Sequence, residues 1–158
     1  MNESRLRVVV IEDDDDEFLR IRRLLADASP ELQPRRVDGW KKAAEIVPDC
    51  VFDVCLIDQQ LAEGEGIALL PLILEVRPYA PIVLLGLEPD PRLEQRALAE
   101  GASDFLAKDR LSGYLLGRAI HYALERKRAQ KALAESEARF RDLIESASDW
   151  YWETDAEH

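Results

Sequence analysis

Several residue types are scarce in this 158-residue sequence, and each scarcity excludes a class of protein. Its only cysteines are Cys50 and Cys55, too few for a disulfide framework, and we expect a reducing, cytoplasmic location. Only 21 basic residues stand against 32 acidic ones, and a net charge of −11 argues against nucleic acid as a direct partner. No apolar run is long enough to cross a bilayer and the N-terminus lacks a signal-peptide core, so no membrane partner is expected.

Acidic residues, by contrast, are concentrated in VVVIEDDDDEF, from Val8 to Phe18. An apolar run bounded by charge predicts a buried parallel strand. Carboxylates crowded at the end of a strand repel one another, and a divalent cation such as Mg²⁺ prefers such oxygen ligands. The alternative is a solvated loop that begins a helix, because Asp favours N-caps and first turns. We assign Asp15, Asp16 and Glu17 to the helix start, which leaves Glu12 and Asp13 as candidate metal ligands.

Each of three more apolar runs has a candidate site residue at or near its end. They are FDVCLIDQQL with Asp58, PIVLLGLE with Gly86 and SDFLAKD with Lys108. In an open parallel α/β sheet, ligands gather outside the carboxyl ends of the strands, so Glu12, Asp13 and Asp58 should converge on one crevice. Lys108 alone would be interpreted as a solvated surface lysine. Its place at the end of the last of these runs instead predicts that it joins the acids.

Helical patterns separate the apolar runs. They lie at Phe18 to Leu25, Trp40 to Ile46, Ile67 to Val76 and Pro91 to Gly101, and Gly101 is the predicted C′ residue of its helix. Strands that alternate with helices at this rhythm predict an α/β fold with a parallel sheet and helices on both faces.

With these features in place, residues 6 to 124 resemble the receiver domain of bacterial two-component response regulators, and the stretch GASDFLAK is especially similar to that family. The resemblance implies a doubly wound, five-stranded parallel sheet of the flavodoxin-like order 2-1-3-4-5. It also implies Mg²⁺ as the cofactor and a histidine kinase or phosphotransfer protein as the partner.

The same resemblance assigns roles to individual residues. Asp58 corresponds to the phosphoacceptor, Glu12 and Asp13 to the acidic Mg²⁺ pair, Gln60 to the residue whose backbone carbonyl binds the metal, Lys108 to the lysine that contacts the phosphoryl group and Phe105 to the rotating aromatic switch. A carboxylate can form an aspartyl-phosphate without a general base, because it is already ionised. The two histidines, His121 and His158, are therefore not needed, and they lie outside the predicted site.

Three features of the sequence depart from the family, among them Leu87, which stands where a small residue is usual. Gly86 stands where most receivers have Thr or Ser, so the phosphoryl group loses a hydroxyl contact and the readout should be weaker or different. Lys108 is followed by Asp109 instead of the common proline. Gly86 and Leu87 leave open a degenerate receiver that acts as a phosphate-independent dimerisation or interaction module. A haloacid-dehalogenase-like enzyme is disfavoured, because its second acid would fall at Gln60.

The chain changes character after Tyr114. No proline occurs from Leu115 through Ile144, and residues 118 to 139 are mainly Ala, Glu, Lys, Arg and Gln, which predicts a long exposed helix. Four apolar side chains on it need cover, namely Leu133, Phe140, Leu143 and Ile144. A homodimer through a parallel coiled coil would supply that cover, although the heptad pattern is interrupted; a single solvated helix is the alternative.

The last segment resembles the start of a PAS sensory domain, with a cap helix around Phe140 and a first strand at Asp149 to Thr154. We therefore divide the chain into a receiver domain (1–124), a linker or signalling helix (125–147) and the beginning of a truncated PAS domain (148–158). Receivers joined to PAS domains by a helix resemble hybrid sensor kinases and cyclic-di-GMP synthases or hydrolases. By itself this chain is not expected to be an enzyme, and the kinase, diguanylate cyclase or phosphodiesterase would lie beyond His158.

Overall fold

The computed structural model describes the backbone of residues 5–155 and the side chains of residues 5–150. Five strands and five helices alternate along it. They are β1 (Leu6–Ile11), α1 (Asp15–Ala28), β2 (Leu32–Val37), α2 (Trp40–Ile46), β3 (Val54–Asp58), α3 (Leu69–Val76), β4 (Ile82–Gly86), α4 (Pro91–Ala99), β5 (Asp104–Ala107) and α5 (Gly113–Asp155). A two-stranded hairpin, Gln60–Leu61 with Gly64–Glu65, follows β3.

The five strands form one parallel sheet in the order β2-β1-β3-β4-β5. The predicted flavodoxin-like order 2-1-3-4-5 is therefore confirmed. The order reverses between β1 and β3, which are neighbours with Ile11 opposite Ile57. In sheets of this kind the ligand crevice lies at that reversal, outside the carboxyl ends of the strands.

Burial on both faces of the sheet explains the nearly continuous apolar runs in the sequence. Every residue of β3 and β4 is buried. One face packs against α2, α3 and α4 through residues such as Ile57 and Leu70, and the other against α1 and the first turns of α5 through residues such as Leu25 and Leu116. The functional groups lie at the strand ends because the interior of the sheet is filled with apolar side chains.

Local signals set the ends of two helices. Asp14 is the N-cap of α1, and its side chain accepts a hydrogen bond from the backbone N–H of Glu17 at 2.9 Å. Asp15, Asp16 and Glu17 form the acidic first turn, as predicted. Gly101 follows the C-cap of α4 with φ of +105°, a conformation that glycine adopts without strain, so its predicted C′ position is also confirmed.

Helix α5 is a single helix of 43 residues, Gly113–Asp155. The chain divides into a compact unit of residues Met1–Lys127 and a second unit of residues Arg128–His158. The predicted PAS strand at Asp149 to Thr154 is wrong, because these residues are helical. A lone strand has no neighbour for its backbone N–H and C=O groups, whereas a helix satisfies them internally. His158 lies outside the described residues, among which no helix has the length and apolarity to cross a membrane.

Candidate functional site

Three carboxylates meet at the carboxyl edge of the sheet. Glu12 and Asp13 follow the end of β1, and Asp58 is the last residue of the neighbouring strand β3. One carboxylate oxygen from each residue lies within 4.8 Å of the other two. Glu12 and Asp58 are only 1% and 4% exposed, and Asp13 is half-buried. The convergence expected from the strand ends is therefore present.

Lys108 lies among these acids. Its Nζ is 2.9 Å from Oδ1 of Asp58 and 3.2 Å from Oε2 of Glu12. Oε2 of Glu17 is a third neighbour at 3.6 Å. Lys108 is 7% exposed, and a buried ammonium requires such partners. Burial lowers the pKa of Lys108, but the hydrogen bond to Asp58 and the charges of Asp58 and Glu12 outweigh burial and leave that pKa raised. The surface-lysine alternative is wrong.

The electrostatics of Glu12 fit a divalent cation. Burial, followed by the negative charge of Asp58, raises the pKa of Glu12 to about 7, although Lys108 and the backbone N–H of Asp14 act to lower it. An ion bound to the three carboxylates would remove this repulsion. The oxygen-only ligand set suits a hard cation such as Mg²⁺ rather than a metal that prefers nitrogen or sulfur ligands.

Backbone N–H groups orient the carboxylates. Oδ1 of Asp58 accepts from the N–H of Gln60 at 3.2 Å, and Oδ2 of Asp13 accepts from the N–H of Ala62 at 2.7 Å. The hairpin segment after β3 thus contacts Asp58 and Asp13. Gln60 lies beside the cluster as predicted, and the use of its carbonyl as a metal ligand stays a prediction.

Comparison with known proteins agrees with this geometry. Residues 8–119 match the family described as the response regulator receiver domain. The chain belongs to this family. It is similar to the response regulator protein PilR of Pseudomonas aeruginosa, at 31% identity over 107 residues that cover 66% of this chain. The chain spans only 23% of that curated relative's length.

Solved structures share the receiver's fold. A response regulator receiver domain protein from Clostridium thermocellum has a TM-score of 0.70 and 22% identity, covering 79% of this chain and 98% of its own. A CheY-like receiver domain protein from Methanospirillum hungatei has a TM-score of 0.69 and 17% identity, covering 80% and 99%. A sensor protein from Polaromonas has a TM-score of 0.68 and 20% identity, covering 78% and 98%.

The aromatic ring of Phe105 lies in the space that a side chain at position 86 would need. Gly86, the last residue of β4, lies opposite Ala107 of β5, and the ring of Phe105 lies close to the position that a Cβ of residue 86 would take. A Cβ added at Gly86 would lie 2.8 Å from Cε2 of Phe105 and closer still to Cζ. Phe105 is buried, so the absence of a side chain at Gly86 is what gives the ring its place.

Gly66 packs closely against the end of strand β3. A Cβ at Gly66 would overlap the backbone carbonyl oxygen of Asp58 and lie 2.9 Å from its carbonyl carbon. The N–H of Gly66 donates to the carbonyl of Gln59 at 2.9 Å. Sequence analysis did not connect Gly66 with Asp58, because the contact joins two segments whose approach depends on the fold.

Helix α1 adds two further side chains that sequence analysis missed as site residues. Glu17 was assigned only to the helix start, yet its carboxylate also faces Lys108. Arg20, one turn later, donates from Nη2 to the backbone carbonyl of Lys108 at 2.7 Å. Their spacing of three residues puts them on one helix face, which is the one signal that could have paired them. His121 lies on α5 and pairs with Glu125 at 3.2 Å.

Proposed function

We propose that this receiver accepts a phosphoryl group on Asp58 from a phosphohistidine of a histidine kinase or phosphotransfer protein. A carboxylate oxygen of Asp58 forms the new bond to phosphorus while the phosphorus–nitrogen bond breaks and the imidazole leaves. The observation that best supports this proposal is the buried contact of 2.9 Å between Lys108 and Asp58 within the acid cluster.

The acids and Lys108 divide the work of charge neutralisation. Glu12, Asp13 and Asp58, with the carbonyl of Gln60, would hold Mg²⁺, which neutralises charge on the phosphoryl oxygens when bound. Lys108 neutralises an oxygen from the other side and is already positioned within hydrogen-bond distance of the nucleophile. No proton has to be removed from Asp58, because a carboxylate is the reactive form.

The signal would leave the receiver through α5. We propose that residues 1–124 form the phosphoacceptor domain, that residues 125–147 form a signalling helix, and that residues 148–158 begin a PAS domain in a cytoplasmic protein. A sensor kinase or a cyclic-di-GMP enzyme would be the output. Leu133, Phe140, Leu143 and Ile144 are 53–68% exposed, which supports a homodimer along the helix.

Phosphorylation by a small donor tests the central proposal. The purified chain is treated with acetyl phosphate and Mg²⁺, and its intact mass is measured. We expect the mass of one phosphoryl group to be added to the wild type and to Asp142→Asn, an exposed-residue control on α5. We expect no gain in Asp58→Asn. An undiminished gain in Asp58→Asn would mean that the assignment is wrong.

A phosphate-independent interaction module is the second candidate. The observation that favours it is the packing of Phe105 over Gly86, since the receiver has an apolar ring in place of the hydroxyl donor. Under this alternative, the wild type gains no mass with acetyl phosphate and Mg²⁺, and its oligomeric state is the same with and without them. A stoichiometric mass gain in the wild type would exclude it.

A further inference from the structure

Arg36 contacts both the acidic loop that follows β1 (residues 12–14) and the first turn of α1. It lies near the end of β2, and its Nε donates to the backbone carbonyl of Glu12 at 2.9 Å. Its Nη1 donates to Oδ1 of Asp15 at 2.6 Å. The guanidinium carbon lies 5.4 Å from the ring centroid of Phe18, a cation–π contact on the first turn of α1. One side chain thus joins β2, the acidic loop and α1.

The backbone of Glu12 is held from two sides as a result. Its N–H donates to the carbonyl of Val37 at 3.2 Å, and its carbonyl accepts from Arg36. The Glu12 carboxylate accepts from the N–H of Asp14 at 3.1 Å, so the loop conformation and the direction of that carboxylate are linked. A planar guanidinium with several fixed donors can maintain this geometry, whereas an ammonium cannot.

The side chain of Arg36 is also mostly enclosed. It is 23% exposed, and Nη2 is one of two buried side-chain nitrogen or oxygen atoms without a hydrogen bond in the described part of the chain. Nη2 lies 3.7 Å from Oδ1 of Asp38. A cation that neutralised surface charge alone would not need to be enclosed in this way.

We infer that Arg36 is a positioning residue for the Mg²⁺ site, fixing the backbone of Glu12 and the start of α1 so that the Glu12 and Asp13 carboxylates face Asp58. This inference rests on the proposed function, since it concerns the same metal site. Partners of metal ligands generally contribute about 10–100-fold to metal affinity through such orientation.

A charge effect and a positioning effect of Arg36 predict opposite changes in Mg²⁺ affinity when Arg36 is replaced by glutamine. If Arg36 acts only through its positive charge, Arg36→Gln makes the acidic loop more negative and tightens Mg²⁺ binding. If Arg36 positions the loop, the same substitution weakens Mg²⁺ binding. Arg36→Lys separates the two explanations again, because it keeps the charge but loses the guanidinium geometry.

The test is calorimetric titration of the metal-free full chain with Mg²⁺. We expect the dissociation constant to rise about tenfold or more in both Arg36→Gln and Arg36→Lys. Arg35→Gln is the matched control: Arg35 is the adjacent, exposed arginine, and its one described side-chain hydrogen bond is a 3.8 Å contact to the thiol of Cys50. It carries the same change of charge and should bind Mg²⁺ as the wild type does.

A second measurement uses the metal-free protein and no activity. Amide hydrogen exchange of residues 12–17 should accelerate in both Arg36 variants and stay unchanged in Arg35→Gln. The inference would be overturned if the wild type binds Mg²⁺ and Arg36→Gln binds it equally well or more tightly, or if Arg36→Lys binds it as the wild type does. Either result would leave the proposed function standing. A wild type that binds no Mg²⁺ would overturn both. Thermal unfolding confirms that each variant is folded, and Arg36→Lys decides if Arg36→Gln does not fold.

Discussion

At the residue scale, Glu12 is a buried carboxylate whose ionisation is costly in the absence of metal. Its pKa is raised from 4.5 to about 7 by burial and then by Asp58. The folded metal-free protein therefore binds more protons at this residue than the unfolded chain does between these two values. It follows that Glu12 lowers the free energy of unfolding as pH rises from about 4.5 to 7, by up to roughly 3 kcal/mol.

Glu12→Gln should remove this pH dependence, because glutamine mimics the protonated acid at every pH. In the presence of a metal chelator, we expect the variant and the wild type to have similar free energies of unfolding near pH 5. Above pH 7 the variant should be the more stable protein. Urea unfolding across this range measures both. Parallel pH profiles for the two proteins would contradict the raised pKa of Glu12.

Lys108 pairs with Asp58 and Glu12 in the folded site, and under the proposed function its charge also assists the transfer reaction. At saturating Mg²⁺, Lys108→Ala should keep the fold but slow phosphorylation by acetyl phosphate about 100-fold, the order of effect seen when one charge-stabilising donor is removed from an active site. Lys131→Ala, on the exposed part of α5, is the control and should react at the wild-type rate. Equal rates for Lys108→Ala and the wild type would limit Lys108 to structural pairing with the acids.

The sequence predicted the acids and the lysine but not the residues that position them. Glu12, Asp58 and Lys108 could be predicted because each lies at or just after a strand end, and parallel strands bring their carboxyl ends to one edge. The contact from Arg36 to the Glu12 carbonyl could not, since it depends on the reach and rotamer of a long side chain. The overlap that any Cβ at Gly66 would make likewise depends on how two segments pack.

At the element scale, strand β2 shows where pattern analysis fails. Its sequence, LQPRRV, contains a proline and two arginines, and sequence analysis located no strand there. The strand lies at the edge of the sheet, paired only with β1, so it tolerates the missing N–H of Pro34 and exposes part of its surface. The buried strands β1, β3 and β4 could be predicted because both of their faces are apolar.

The packing of β4 against β5 predicts a coupling between Gly86 and Phe105. Gly86→Ala should lower the free energy of unfolding by about 1–3 kcal/mol, because the added methyl group displaces the buried ring. Combined with Phe105→Ala, the same substitution should cost at least about 1 kcal/mol less, since the ring is then absent. Urea unfolding of the single and double variants measures this interaction.

The control pair combines Gly86→Ala with Phe52→Ala. Phe52 is also buried but is not among the atoms nearest to a Cβ at Gly86, so the two effects should add. If the losses in free energy of unfolding caused by Gly86→Ala and Phe105→Ala add, the packing of the Phe105 ring does not depend on the absence of a side chain at position 86. They would also remove the structural argument for an altered readout.

At the scale of the whole molecule, the proposed function requires a signal to pass from a buried site to helix α5. Within the unit of residues Met1–Lys127, two cationic side chains attach α5 to the segment before β5. Arg126 donates to the carbonyl of Ser103 at 3.4 Å, and Lys127 donates to the carbonyl of Gly101 at 3.3 Å. Burial and then the charge of Arg126 lower the pKa of Lys127, so this end of the attachment is partly enclosed. Movement of β5 would therefore be transmitted to α5 at these two residues.

We expect phosphorylation to change the packing or register of a dimer formed along residues 115–144. A route of this kind needs an element with two arrangements whose balance is shifted by the modified site. Spin labels at the exposed positions Arg128 and Glu135 report distances between the helices of a dimer, measured with and without a phosphate mimic. Wild-type distances should differ between the two states. The double variant Arg126→Ala/Lys127→Ala should still be phosphorylated on Asp58 but should give the same distances in both states, because its attachment to the β5 side is lost. If the wild-type distances do not change, or if the protein is monomeric in both states, α5 does not carry the signal in this way.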